Sequence, residues 1–527
     1  MQVSVSNPEG SKPEVSNLYT VLSDRFMQAP EKVALQTPEG SYTYAQVHHR
    51  VGQMANWLKS LDLPAGSRVA AQVEKSPEAL FLYLAAVRAG YTYLPLNTAY
   101  RQGEIEYFLG NAEPAVVVCD PANLSWVQGL ANQTGCSHVV TLDALGQGGL
   151  TQVAQGFSGQ CHDAATAADD LAAILYTSGT TGRSKGAMLT HRNLISNAQT
   201  LHHYWGWSSN DVLLHMLPIF HIHGLFVACH GALHAGATMI WLPKLDVDAA
   251  LHYLPDSTIM MGVPTYYVRL LSDPRFDRHV TRNMRLFVSG SAPLLLETFE
   301  SFEKQIGQPI LERYGMSETG MLTSNPYNAQ EGARIGSTVG KPLPGVEVRV
   351  VDDAGKTCPV NEIGHVQVRG PNVFVGYWQM PEKTREEFTA DGWFKTGDMG
   401  RWGGQTPQGQ DIPADYLSIV GRSKDLIISG GYNVYPKEIE SVIDDMPGVL
   451  ESAVIGVPHP DFGEAVVAVV VPAKGVVLDV TAMIADLKVK LANYKVPKHV
   501  YSVDELPRNT MGKVQKNVLR QQYGKDA

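Results

Sequence analysis

The chain has 527 residues, 44% of them hydrophobic and 18% charged, which is the balance of a soluble globular protein. Its 42 basic and 52 acidic residues give a net charge of −10, which argues against general nucleic-acid binding, a task that needs a basic face. The length exceeds one ordinary core, so two or more domains are expected.

The first ten residues, M-Q-V-S-V-S-N-P-E-G, lack the basic start and apolar run of a signal peptide and are not Arg-rich like a transit peptide. No apolar run is long enough to span a bilayer. Cys119, Cys136, Cys161, Cys229 and Cys358 are scattered and show no C-x-x-C spacing. Free thiols in a reducing compartment, with the cytoplasm as default, are therefore expected rather than a disulfide or metal framework.

From about residue 65 the chain alternates β-rich runs with helical patterns. Residues 68–73 predict a strand and 77–89 a helix, and 171–175 form an apolar strand. Further strands are expected over 212–217, 237–242, 259–263 and 286–289, with helices over 225–233, 247–254, 265–271 and 294–306. Such alternation implies an α/β fold of helix-covered parallel sheets. Residues 346–351 and 364–369 alternate apolar and polar positions and predict a small antiparallel barrel or sheet. The Gly-, Gln- and Pro-rich stretch 402–414 reads as an exposed loop within a hairpin. A last compact α+β unit is expected, with strands near 426–428, 452–455 and 465–471 and helices near 436–446 and 480–491.

Residues 176–186 read Y-T-S-G-T-T-G-R-S-K-G. Glycines allow close approach of backbone N–H groups, hydroxyls donate hydrogen bonds and the lysine adds a point charge, so the loop suits a phosphate chain. It departs from G-x-x-x-x-G-K-[ST], because Arg183 and Ser184 separate Gly182 from Lys185. A triphosphate is thus held in another way, for chemistry other than γ-phosphate transfer.

Four further segments accompany this loop: R-Y-G-M-S-E-T-G at 313–320, G-W-F-K-T-G-D at 392–398, G-R-S-K-D-L-I-I-S-G-G-Y-N-V-Y-P-K-E-I-E at 421–440 and P-R-N-T-M-G-K at 507–513. In this order they resemble the adenylate-forming superfamily of acyl-CoA synthetases, firefly luciferase and peptide-synthetase adenylation domains, over nearly the whole chain. Ser184 stands where that family commonly has proline, and Ser317 where it usually has threonine. The resemblance implies a large N-terminal domain of sheets with a small β-barrel-like subdomain, over residues 1–421, and a small mobile α+β lid over 422–527. It implies attack of a carboxylate on the ATP α-phosphate, release of pyrophosphate and transfer of the acyl group to coenzyme A, with Mg2+ present.

The same resemblance implies residue roles. Thr177, Ser178, Gly179, Thr180, Thr181, Gly182 and Lys185 match the β/γ-phosphate cradle, and Glu318 the magnesium ligand. Tyr314, within Tyr314-Gly315-Met316-Ser317, matches the adenine-stacking residue, with Ser291, Ala292 and Pro293 along that pocket. Asp398 and Arg422 match the ribose contacts, and Lys513 the adenylation lysine. Lys424 occupies the hinge position, Gly430 and Gly431 a pantetheine tunnel, and His221 a position gating the thiol.

Two arginines bear on the acid. Arg313 replaces the glycine that many relatives have before the Y-G-M tyrosine, and Arg269 follows M-G-V-P-T-Y-Y-V in the helix after a substrate-pocket strand. With the run Val73-Glu-Lys-Ser-Pro-Glu78, the chain resembles malonyl-CoA synthetases most. Malonate keeps a second carboxylate after activation, and a buried anion needs a guanidinium partner. Methylmalonate is a further candidate substrate. The rivals are a medium- or long-chain or aromatic acyl-CoA synthetase, a domain loading a carrier protein in trans, and a non-catalytic nucleotide-binding protein of the same fold. A monomer and a homodimer are both compatible with the sequence.

Overall fold

The computed structural model describes residues 17–177, 184–406, 408–429, 432–459, 463–509 and 512–524. Ser178, Gly179, Thr180, Thr181, Gly182, Gly430 and Gly431, which the resemblance assigns to phosphate and pantetheine, lie outside the described residues. The chain forms two compact units: Met1–Leu245 with Ser317–Gly320 and Pro371–Thr384, and Asp246–Met316 with Met321–Gly370 and Arg385–Ala527. No helix among the described residues is long and apolar enough to cross a membrane.

In the first unit, β-rich runs build a seven-stranded sheet in the order Gly376–Tyr377, Lys185–Thr190, Leu171–Thr177, Thr92–Pro95, Arg68–Gln72, Val116–Cys119 and His138–Thr141. The last five pair in parallel. Both faces of such strands are covered, which is why V-V-V-C at 116–119 is buried throughout. The helix Pro77–Arg88 begins where the Ser76 side chain accepts from the Ala79 N–H, with proline in its first turn. All its residues from Glu78 onward are buried, so apolar groups occur around its whole circumference. Each fully buried Leu or Phe there, such as Leu80 or Phe81, contributes about 1.5–3 kcal/mol. The same unit holds the run Val212–His215, Thr238–Trp241, Val33–Thr37 and Gly40–Thr43.

Two expectations change in form. The helix read at 225–233 is a π-helix over His223–Cys229 that continues as an α-helix over His230–Ala235. It is entered tightly: a Cβ on Gly224 would lie 2.1 Å from the Pro218 carbonyl oxygen, so only glycine fits there. The stretch 402–414 is not mainly a loop. Phe394–Gln405 and Asp411–Arg422 are twelve-residue antiparallel strands, and the pairing shifts register between Trp402 and Gly404. Gly403 (φ 61°) and Gly404 (φ 98°) supply the left-handed backbone of that bulge, so the glycines mark a kink within the ladder.

In the second unit, Ile259–Gly262, Leu286–Ser289 and Leu311–Met316 pair in parallel and continue through Gly320–Ser324 to Lys341–Pro342. A four-stranded antiparallel sheet of Glu347–Val351, Gly364–Arg369, Phe394–Gln405 and Asp411–Arg422 stands where the small β subdomain was expected. The C-terminal sheet is built from Tyr432–Val434, Ile427–Ser429, Gly463–Pro472 and Val449–His459, with His499–Ser502 alongside Gly463–Pro472. Ile439, Ile443, Met483 and Leu487, from the helices Pro436–Asp444 and Val480–Lys490, cluster with Val454, Val466 and Ala468. Leu519 of the last helix joins Ala453, Ile455 and Val467 in a second cluster. Alternation along the strands thus gives this small sheet two apolar faces, as the continuous Ala and Val run over 465–471 requires. The whole is the α/β architecture expected, with a large N-terminal sheet region and a smaller C-terminal α+β region.

Candidate active site

The strands on either side of the Gly- and Thr-rich segment pair with each other. Leu171–Thr177 pairs antiparallel with Lys185–Thr190, and Thr177 stands opposite Lys185. The strand from Lys185 thus pairs back on the strand that ends at Thr177, where the common ATPase pattern would be followed by a helix. Lys185 is buried, with Nζ 4.7 Å from the centre of the Tyr377 ring. Tyr377 is held there because its short strand pairs with the Lys185 strand, opposite Ala187. Glu318 is 5% exposed, and its Oε1 accepts from Thr177 Oγ1 at 3.3 Å and from the Tyr377 hydroxyl at 3.2 Å. Thr177, Lys185 and Glu318 are therefore brought together, and Tyr377 is a member that the sequence reading missed. It lies in P-N-V-F-V-G-Y-W, which carries no catalytic pattern, so only the strand pairing reveals it.

A second group lies in the other unit. Asp398 and Arg422 face each other across the antiparallel pair, with Arg422 Nε 2.9 Å from Asp398 Oδ1. The Tyr314 hydroxyl donates to the other carboxylate oxygen, Asp398 Oδ2. Burial, then the Asp398 charge, push the Tyr314 phenol well above its usual range. Gly315 and Met316 continue the Tyr314 strand, and Ser317 follows it; all three are half-buried, as are Ser291 and Ala292, while Pro293 is exposed. Ser291 adopts φ 71°, a left-handed conformation rare outside glycine and asparagine.

Arg313 is 4% exposed, and its Nε and Nη2 have no hydrogen-bond partner among the described residues. Burial pulls its pKa below the arginine range, with the Tyr267 hydroxyl as the opposing influence. The guanidinium lies against Gly290, where a Cβ would come within 2.4 Å of Arg313 Cζ. Tyr267 itself donates to the Val288 carbonyl at 2.6 Å. Gly290 and Tyr267 thus frame Arg313, and neither was singled out from the sequence. Arg269 differs: it lies on the exposed side of the Pro264–Leu271 helix next to Val268, so it does not share the burial of Arg313 that an acid pocket was expected to give both.

Lys513 is exposed, in a turn closed by Asn509, whose Oδ1 accepts from the Lys513 N–H at 2.9 Å. Gly512 (φ 72°) passes close to Thr265 on the Pro264–Leu271 helix: a Cβ there would lie 3.5 Å from Thr265 Oγ1. Arg508 fastens this turn by donating to the Gly512 carbonyl and by an ion pair with Glu451. Lys424 sits in the single turn Ser423–Asp425 after Arg422. His221 is half-buried and its Nδ1 accepts from the His223 N–H at 3.3 Å.

The sequence matches the AMP-binding enzyme family over residues 22–378, and the AMP-binding enzyme C-terminal domain over residues 438–513. The crystal structure of ATP-bound MatB from Rhodopseudomonas palustris shares 53% identity and a TM-score of 0.92, covering 97% of this chain and 99% of that one. The mitochondrial malonate–CoA ligase of Mus musculus is 34% identical over 95% of this chain and 90% of its own length. The feruloyl-CoA synthase of Amycolatopsis sp is 34% identical over 95% and 98% respectively. The chain therefore belongs to the AMP-binding enzyme family, as an AMP-forming acid–thiol ligase that takes ATP, a carboxylic acid and coenzyme A.

Proposed function

We propose that this ligase activates malonate, with methylmalonate as a further candidate, to give the acyl-CoA, AMP and pyrophosphate. Arg313 carries the reading. Burial lowers the Arg313 pKa but leaves the guanidinium charged at neutral pH, and a buried one with two nitrogens unpartnered among the described residues calls for an anion. The spare carboxylate of malonate supplies a planar, bidentate partner. Malonate–CoA ligases among the relatives support the same acid, while the feruloyl-CoA synthase makes aromatic acids the rival class.

One malonate carboxylate oxygen attacks the α-phosphorus, and the bond from that phosphorus to the pyrophosphate oxygen breaks. The thiol sulfur of coenzyme A then attacks the acyl carbon of the adenylate. The carbon–oxygen bond to AMP breaks and the thiol proton leaves to solvent. Thr177 and Lys185, with the loop between them, hold the β- and γ-phosphates, while Asp398 and Arg422 hold the ribose and Tyr314 the adenine. Lys513 bridges the reacting carboxylate and α-phosphate as charge moves between them. Glu318 fits a magnesium ion, because a buried carboxylate can complete a shell otherwise made of phosphate oxygens and water. Bound there, the ion would neutralise phosphate charge.

Residues 1–421 then act as the ATP- and acid-binding domain, and 422–527 as a lid that turns about Lys424 between the two steps. The turn withdraws Lys513 and brings Gly430 and Gly431 to the pantetheine arm. Five unpaired cysteines favour a reducing compartment, and the cytoplasm is the reading they support.

The test is steady-state AMP formation, with and without coenzyme A, across malonate, methylmalonate, acetate, octanoate and ferulate. Malonate should have the highest kcat/KM. Preference for any monocarboxylate would reject the dicarboxylate assignment, and no acid-dependent pyrophosphate release would reject the enzyme.

A further inference from the structure

The run Val73-Glu-Lys-Ser-Pro-Glu78 contains a lysine that the chemistry above does not use. Lys75 is 9% exposed and follows the strand Arg68–Gln72. Its Nζ lies 2.7 Å from His215 Nδ1, 2.9 Å from the His215 carbonyl and 2.6 Å from the Leu242 carbonyl. Burial pulls the Lys75 pKa well down, but these three acceptors match the three protons of an ammonium and favour the charged form. The Trp241 ring, 4.4 Å away, covers the same group.

The geometry fixes how His215 is protonated. Its Nε2 lies 3.0 Å from the Gly224 carbonyl oxygen, which can only accept, so Nε2 carries the proton. Burial, then the Lys75 charge, disfavour a second proton on the ring. Nδ1 is therefore a bare acceptor, and the lysine donates to it. Cys229 Sγ, at 3.3 Å, shares the Nε2 side of the ring.

This chain of donors ends on the segment that bears His221. Gly224 presses on the Pro218 carbonyl, and the Leu225 N–H donates to the His221 carbonyl at 3.0 Å. The loop between His215 and the π-helix His223–Cys229 is thus closed by the ring that Lys75 orients. π-Helical turns are rare and are found frequently at functional sites. We propose that Lys75 and His215 are positioning residues for thioester formation: the ammonium fixes the imidazole tautomer, and the imidazole fixes the loop that presents His221 to the thiol of coenzyme A. This rests on the thiol-gating reading of His221.

The test separates the two half-reactions. ATP–pyrophosphate exchange reports adenylation, and single-turnover transfer from preformed adenylate to coenzyme A reports thioester formation. His215→Leu and Lys75→Met should slow transfer about 10- to 100-fold while exchange stays within about twofold. His215→Gln, which can accept from Lys75 and donate to Gly224, should restore transfer. His221→Ala is the control. If it slows transfer selectively but His215→Leu does not, the relay is wrong and the His221 reading stands. If His221→Ala leaves transfer unchanged, both fall. Should the leucine or methionine variants fail to accumulate, long-range 1H–15N correlation of the histidine-labelled wild-type protein decides. His215 held as the Nε2–H tautomer from about pH 5 to 8 supports the relay, and a titrating or Nδ1–H His215 overturns it.

Discussion

At the scale of single residues, acid choice turns on whether a buried guanidinium finds its partner. Removing one side of a buried charge pair commonly costs 2–5 kcal/mol, so Arg313→Ala should raise the malonate KM by roughly 10²-fold or more and leave the ATP KM near its wild-type value. Arg269 is exposed, and Arg269→Ala should change the malonate KM by less than about threefold, within the range of ordinary surface substitutions. Initial-rate measurements at varied malonate and saturating ATP check both. Gly290→Ala is the indirect version of the first experiment: its methyl would occupy the space of Arg313 Cζ and displace the guanidinium. Malonate use should fall, with the enzyme still folded by circular dichroism. Arg313 stands out in the sequence because it interrupts a known motif, and its burial is what the structure adds. Gly290 and Tyr267 do not stand out, because their importance lies in what they pack against. Arg269 shows the reverse: a helix near the expected pocket does not say which side of it faces inward.

Among the elements, Leu311–Met316 carries opposed demands, since adjacent residues place Glu312 and Arg313 on opposite faces of the sheet, each buried. Burial pushes the Glu312 carboxyl up to about 8, opposed by Lys437 and by the Ser337 and Leu294 N–H groups. Folding therefore favours its protonated form. That contribution is complete below the unfolded carboxyl pKa of about 4.3 and is lost as pH rises through the folded value of about 8. Thermal unfolding at about pH 5 and pH 8 should show a drop in Tm for the wild type and a smaller drop for Glu312→Gln. The elements themselves were largely legible: Leu286–Ser289 falls on its predicted bounds, and most other strands and helices fall within a few residues of theirs. The misses have local causes. A glycine pair that reads as a loop is a bulge inside a long hairpin, and a periodic apolar segment cannot reveal a π-helical turn set by contact with Pro218.

For the whole molecule, the central expectation is that one active site does two reactions by moving its lid. Lys513→Ala should abolish ATP–pyrophosphate exchange by about 10³-fold or more, the scale of losing a group that acts on transition-state charge, while transfer from supplied malonyl-adenylate to coenzyme A changes little. Equal losses in both steps would mean that Lys513 is not confined to adenylation. Chelating divalent cations should remove exchange and leave that transfer intact, consistent with a metal that serves the phosphates alone. The candidate site was readable because five short segments occur in one order, but the pairing of Leu171–Thr177 with Lys185–Thr190 and the placement of Tyr377 beside Lys185 have no local signature. Ser291 carries a further consequence. Its left-handed backbone is a conformation that glycine adopts without strain, so Ser291→Gly should relieve roughly 1 kcal/mol while removing the hydroxyl of a residue proposed to line the nucleotide pocket. Position 291 is then a place where selection for heat tolerance and selection for turnover pull apart. A laboratory population evolved for thermal survival alone should drift to glycine there, and one held under demand for product should keep its serine.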